Sequence, residues 1–429
     1  MTMEMILALG ILVLMIVMIM SDKFAFGAPP LIACLLLVVT GLATVPEAFA
    51  GFVNSSVIMI AGFMVVMAAL MKTHFISKVQ SAMIKLVNKG GYKSYVLLVI
   101  VVMLGASLAG AGSTGYYVLI LSIVSAIPYN KKMPTSKLML PLGFATNHPL
   151  LPINVALFYG ITVSVLETAG FTGGLSMSKF AVVNFILALG FLVWALVAYR
   201  FLPDYPDAEE GNAGVKEAAA TAEVATMPAW KETATIAAFI IGVVGMMLMS
   251  VLGEIAYVIP GIAAAFLLII NVLDFKEVRD NMGAPVILLM AGVIGVANTL
   301  AETGFTAMVG DYVANSFGTN LSPFMLILIF ALLTSTCATF TGAAMGSVYI
   351  FAPIAIAASI SLGLDPTAAA VAVVVSAWNG GYMPVDGMPA MIFGMGKYKL
   401  SHFWAFSVPM YIIRILALTV GAMLLFPVS

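Results

Sequence analysis

Apolar runs long enough to cross a bilayer follow one another along almost the whole chain, and no other feature narrows its fold so far. Spans fall near residues 5–21, 27–44, 56–72, 139–166, 178–200, 233–251, 255–273, 283–301, 367–396 and 403–427. Inside lipid every backbone N–H and C=O must find its partner within the protein, so such runs fold as helices. Charged residues make up 9% of the 429 positions and hydrophobic ones 62%, where a soluble domain carries about 25% charged. No soluble fold of this length could cover that surface, so the chain is an all-α polytopic membrane protein. Its net charge of −1, without a basic or acidic tail, offers nothing to nucleic acid. The first run, Met5 to Met20, lacks a basic flank and reads as a retained span rather than a cleaved leader. Cys34 and Cys337 lie in spans, outside any CxxC and away from histidine, and read as small core residues rather than a disulfide or metal site.

Two further apolar blocks, 94–128 and 322–361, are interrupted by the small-residue phrases GAGSTG and TFTGAAMG. Each is either two short spans or a re-entrant hairpin, and both readings return the chain to its starting side. A hairpin fits better, because irregular backbone at membrane depth is tolerated where protein or water surrounds it. Lys72, Lys78, Lys85, Lys89 and Lys93 mark the 72–93 arm as cytoplasmic. Counting spans from there places 16 of the 18 basic residues on that side, with Lys179 and Arg414 the exceptions. Both termini come out external.

The chain repeats itself. Ala61-Gly62 returns as Ala291-Gly292, and Gly112 in the first tip as Gly342 in the second, both at an offset of 230. NHPLLPIN, from Asn147, returns as NGGYMPVD, from Asn379, at an offset of 232, so Asn147 and Asn154 meet Asn379 and Asp386. Each half holds five spans and one hairpin, an odd number of crossings that inverts the second copy. The Lys-rich arm supports the inversion, since its counterpart 302–320 has no Lys or Arg. The expected organisation is a first repeat at 1–200, with hairpin 94–128 and broken helix 139–166. A polar cytoplasmic linker at 201–232 follows, then a second repeat at 233–429 with hairpin 322–361 and broken helix 367–396.

Inverted repeats with helix breaks near the midplane are the mark of secondary transporters. Pro152 and Pro384 each remove an N–H and clash with the preceding turn, unwinding the helix beside them. Freed N–H groups suit an anion and freed carbonyls a coupling cation. Ser113, Thr114, Asn147, Asn154, Thr341 and Asn379 are therefore the candidate substrate-binding residues, as donors to carboxylate oxygens. Asp386, the one carboxylate deep in a span, is the candidate for the coupling cation or proton, with Gly112, Gly342 and Ala343 beside the same sites. His148 reads either as a hydrogen-bonded interior side chain or as a substrate contact. Arg414 reads as snorkelling, as paired with a carbonyl, or as functional, on a helix expected to be peripheral. No nucleophile–base pair stands out, so the chain is not expected to be an enzyme, and no cofactor is expected beyond Na⁺ or H⁺.

The tandem of small-residue hairpin and SKLMLPLGFATNHPLLPIN, with VVVSAWNGGYMPVDGMPAMIFGMG in the second half, resembles the divalent-anion/sodium symporter family of the ion transporter superfamily. In that family a Ser-Asn-Thr tip in each hairpin binds substrate carboxylates and helps form Na⁺ sites. The matching positions here are Gly112-Ser113-Thr114 and Gly342-Ala343-Ala344, neither of which keeps the full triplet. The family's PVATPPN-type signature appears as Pro384-Val385-Asp386-Gly387-Met388-Pro389-Ala390, with Asp in place of a small residue. The resemblance implies a homodimer in the cell inner membrane. It also implies an elevator-type, alternating-access symporter of small organic anions such as dicarboxylates, driven by Na⁺ or H⁺. The alternative within the superfamily is a Na⁺/H⁺ antiporter that exchanges at Asp386 and carries no organic substrate.

Overall fold

A computed structural model describes residues 1–20, 24, 28–110, 113–125, 133–171, 174–204, 227–305, 308, 322–341, 344–384 and 387–426, and these form helices with no β-strand among them. Most of the 201–232 linker and of the 302–320 arm lies outside the described residues. The first half runs α1 (Met3–Met20), α2 (Ala28–Val39), a short α3 (Val45–Ala48), α4 (Ser55–Met71) and an amphipathic α5 (Phe75–Lys89). It continues with α6 (Gly91–Ala109), α7 (Thr114–Ser125), α8 (Thr135–Ala145), α9 (Ala156–Thr168) and α10 (Met177–Ala198). The second half opens with α11 (Ala229–Met247), α12 (Met249–Leu252), α13 (Ile255–Ile269), α14 (Phe275–Met282) and α15 (Pro285–Glu302). It closes with α16 (Pro323–Thr341), α17 (Ala344–Ser361), α18 (Thr367–Ser376), α19 (Gly387–Met395) and α20 (Leu400–Leu425). The order of long helix, tip pair, broken pair and long helix thus occurs twice.

Six of these helices are long and apolar enough to cross a membrane. The broken pairs are built differently. With 11 residues α8 reaches about 16 Å, half the ~30 Å hydrocarbon core. With 10 residues α18 is shorter still. Half-helices of that length end in the interior of the protein, and every residue of α18 is buried.

α8 ends at Ala145 and α18 at Ser376. A proline disturbs its helix back to residue i−4; Pro149 reaches Ala145 and so accounts for the first end, whereas Pro384 reaches back only to Gly380, beyond the end of α18. Side chains also take the last carbonyls at both ends. The Thr146 hydroxyl donates to Gly143 O at 2.6 Å, and Asn379 Nδ2 donates to Val375 O at 2.7 Å. The upstream limb of the first broken helix also starts at Thr135 rather than at 139. Tyr398 holds that limb from the other half, its hydroxyl set between Ser136 O (2.6 Å) and Leu140 N (3.2 Å) in the helical ladder.

Packing joins the halves. The two most closely packed helix pairs, α10 with α20 and α4 with α13, each take one member from either half, as does α2 with α15. Small residues permit this, as at Gly62, where a Cβ would come within 2.6 Å of the Gly261 nitrogen. One buried apolar cluster holds α6, α7 and α8 with Phe403, Phe406 and Met410 of α20. A second holds α2, α4, α13, α15 and α16–α18 with Tyr411, Ile415 and Leu418 of the same helix. Arg414 therefore sits where α20 passes from one core into the other.

Candidate functional site

The two tips and the two breaks converge on one cavity of about 280 Å³. Ser113 comes from the first tip, and Thr339 and Ala344 flank the second. Thr146 and Asn147 come from the first break, Trp378, Gly380 and Gly381 from the second, and Arg414 from α20. Tyr117, Met383 and Met388 supply apolar and aromatic wall.

Each break is satisfied by the hairpin arm beside it. Ser107 on α6 donates its hydroxyl to Met103 O at 2.9 Å and accepts the Leu151 N–H at 2.8 Å. Thr339 on α16, 232 positions further on, donates to Ser335 O at 2.7 Å and accepts the Gly381 N–H at 3.3 Å. The same device serves both halves, with a hydroxyl four residues above its own acceptor taking a freed N–H of the break. The breaks are also tied together directly, since Asn147 Nδ2 donates to Trp378 O at 2.8 Å. Those donor contacts orient both asparagine amides, and they leave Asn147 Oδ1 and Asn379 Oδ1 buried with no partner among the described residues.

Arg414 is the strongest feature of the site, and its place there is not apparent from its position in the sequence. The peripheral setting expected for α20 holds for its outer face, where Trp404, Ile412 and Leu416 are exposed, but Arg414 is 1% exposed. It continues the inward stripe of Phe403, Ser407, Met410 and Tyr411 at helical spacing. Its Nη2 donates to the Asn379 and Gly380 carbonyls, and its Nη1 donates to His148 Nε2 at 3.1 Å. Nε is buried and has no partner among the described residues. No carboxylate pairs with it among the described residues. A cation at the carbonyl end of α18 is favoured by the helix dipole, so the position stabilises the break while leaving the charge on the cavity wall.

The other expected residues divide. Ser113 and Asn147 line the Arg414 cavity, and the Asn379 carbonyl anchors the arginine. Thr114 opens α7 and Thr341 closes α16, at the two tips. Asn154 turns instead to a second cavity of about 300 Å³ against α4, with Met67 and Asn281, and Nδ2 donates to Leu108 O at 3.2 Å. Ser113 borders both cavities. Gly112, Gly342, Ala343 and Asp386 lie outside the described residues. Trp378, which packs at a tilt of 37° against Phe158 with centroids 4.7 Å apart, lines the cavity, and no sequence motif marks it. Among the described residues no group of His, Cys, Asp and Glu could hold a metal ion.

An all-helical membrane protein whose hairpin tips and broken helices close on a buried polar cavity is, by class, a multi-pass transporter. The chain belongs to the CitMHS family of citrate transporters, whose sequence profile matches residues 16–344. It is 29% identical over 143 residues to the uncharacterized transporter YfbS of Escherichia coli (strain K12), which covers 33% of this chain and 23% of that protein. It is also 29% identical over 154 residues to the uncharacterized transporter sll0640 of Synechocystis sp. (strain ATCC 27184 / PCC 6803 / Kazusa), covering 36% and 25%. The matched stretches thus span about a quarter of those relatives' own lengths. Among solved structures, Neisseria gonorrhoeae MtrF, described within a class of antimetabolite efflux pumps, aligns with TM-score 0.56 at 15% identity over 92% of this chain and 85% of that one. The Alcanivorax borkumensis YdaH transporter aligns with TM-score 0.55 at 14% identity over 91% and 88%. At such identity the likeness is one of fold.

Proposed function

We propose that the chain is a secondary active carrier of a small organic anion, a di- or tricarboxylate of the kind the family's name gives, coupled to Na⁺ or H⁺. Arg414 carries the reading. A guanidinium stays ionised, and an isolated charge buried away from water costs several kcal/mol or more, so a site that keeps one on a cavity wall is built for a counter-charge that comes and goes. Ser113 and the spare Arg414 donors would bind carboxylate oxygens, with Asn147 beside them. Asp386, two residues past Pro384, remains the candidate for the coupling cation or proton.

The two halves are proposed to be inverted copies, 1–200 and 233–429, meeting at this cavity. The recurring helix order and the Ser107 and Thr339 devices support that division. The hairpins and broken helices would move as one body against α2, α4, α13 and α15, giving elevator-type alternating access in a homodimer. The Lys-rich arm would face the cytoplasm and both termini the outside, in the inner membrane. A positive cavity wall speaks against the antiporter reading, which needs a cation site and no more.

The test is uptake of labelled citrate, succinate and lactate into proteoliposomes, with Na⁺ and pH gradients imposed separately. Concentrative uptake of a carboxylate under one gradient is expected, and Asp386→Asn should remove its dependence on that gradient. Cation exchange with no carboxylate movement would overturn the proposal in favour of the antiporter.

A further inference from the structure

His148 does not line the cavity, yet it is held on three sides beside the residue that does. Its ring lies flat on Phe191, with centroids 4.0 Å apart and planes 9° from parallel. Nδ1 is 2.6 Å from Phe144 O and Nε2 is 3.1 Å from Arg414 Nη1. The two neighbours leave a single assignment of protons. A carbonyl only accepts, so Nδ1 carries the hydrogen, and a guanidinium only donates, so Nε2 offers its lone pair. The imidazole is therefore neutral and fixed in one tautomer.

The same arginine reaches the second break through its other nitrogen, to Asn379 O and Gly380 O. His148 and Gly380 hold the same place in the two repeated phrases, 232 residues apart. One guanidinium is thus clamped between equivalent points of both breaks, with Nη1 held by the first and Nη2 by the second, while Nε has no partner among the described residues.

We infer that His148 is a positioning residue. Its neutral Nε2 holds the Arg414 guanidinium in the plane that presents its spare donors to a carboxylate in the cavity. This rests on the anion reading above. It goes beyond that reading in assigning the substrate's affinity to a side chain the substrate does not touch, and in requiring that side chain as a hydrogen-bond acceptor rather than as packing.

Two substitutions separate acceptor from packing. His148→Phe keeps a flat ring for Phe191 and removes both nitrogens. His148→Gln gives up the stack and keeps an amide oxygen within reach of Arg414. In proteoliposome uptake, His148→Phe should raise KM about tenfold or more, the scale of a lost hydrogen bond to a charged group, with Vmax little affected. His148→Gln should stay within about threefold of the native KM. The reverse order, with Phe near native and Gln impaired, overturns the inference, as does equal behaviour of the two. A readout independent of transport accompanies this, a double-mutant cycle of His148→Phe and Arg414→Gln in thermal unfolding of the purified protein. Non-additive losses are expected, and additive ones mean the two side chains do not act together, which overturns the inference whatever the uptake shows. If the native protein carries none of the carboxylates, the anion reading falls, and the cycle alone decides whether His148 holds Arg414.

Discussion

The two breaks begin from nearly the same phrase and solve the same problem with different means. In the first, His148 and Pro149 follow the shared asparagine, whereas in the second Gly380 and Gly381 do. Pro149 has no N–H, so the hydroxyl of Ser107 takes its hydrogen bond two residues later, from Leu151. Gly381 keeps its N–H, adopts φ +74°, and gives that bond to Thr339 at the corresponding place. The first break supplies a side chain, His148, to orient the arginine. The second supplies bare carbonyls, Asn379 O and Gly380 O, that the arginine itself satisfies. What looks like a symmetric pair is thus completed by one asymmetric residue from α20, and the polarity of the cavity comes from that asymmetry.

Removing the arginine should have the largest effect. Arg414→Gln takes the charge from the cavity and weakens the hold on both breaks; carboxylate uptake should fall by about thirtyfold to a few thousandfold in Vmax/KM, since truncating one partner of a buried charged pair costs about 2–5 kcal/mol. Arg414→Lys should not restore it, because an ammonium cannot bridge both breaks as the planar fork does. Next comes the glycine side of the comparison. In Gly380→Ala the new Cβ would run into the Thr339 hydroxyl and come within 2.9 Å of Ser335 O. Overpacking of that kind costs about 1–3 kcal/mol, to be read as a lower thermal midpoint in detergent.

The paired hydroxyls follow. Ser107→Ala and Thr339→Val each take the acceptor from a part-buried N–H, at up to about 1.5 kcal/mol, and the shorter contact at Ser107 (2.8 Å against 3.3 Å) predicts the greater loss there. A null effect at both would end the claim that the halves share this device. The smallest change is expected from Asn147→Ala, about 1 kcal/mol for the one bond to Trp378 O, with a modest rise in KM for uptake.

Much of this was legible in the residues themselves. The two Asn-x4-Pro phrases lie just past the ends of α8 and α18, the GAGSTG and TFTGAAMG phrases span the α6–α7 and α16–α17 joins, and Asn147 and Ser113 line the cavity. Asn154 occupies an equally suggestive place in its phrase but points toward Met67 and Leu108, because an unwound segment has no fixed period to say which way a side chain turns. Arg414 was visible as a charge inside a span, with only the hydroxyls of Ser407 and Tyr411 to mark its face of an otherwise apolar helix. In lipid both the outward and inward faces are apolar, so periodicity cannot separate them as it does in water.

The sequence by itself determined the solvent of this protein, the positions where its helices fail, and the recurrence of those failures at an offset of 232. Those are local properties, fixed by transfer free energy and by backbone chemistry at Pro, Gly and Asn. Only the tertiary structure decided which freed groups meet, which asparagine turns inward, and that a single arginine closes the arrangement. Those outcomes depend on distances between residues hundreds of positions apart, which packing sets and no stretch of sequence contains.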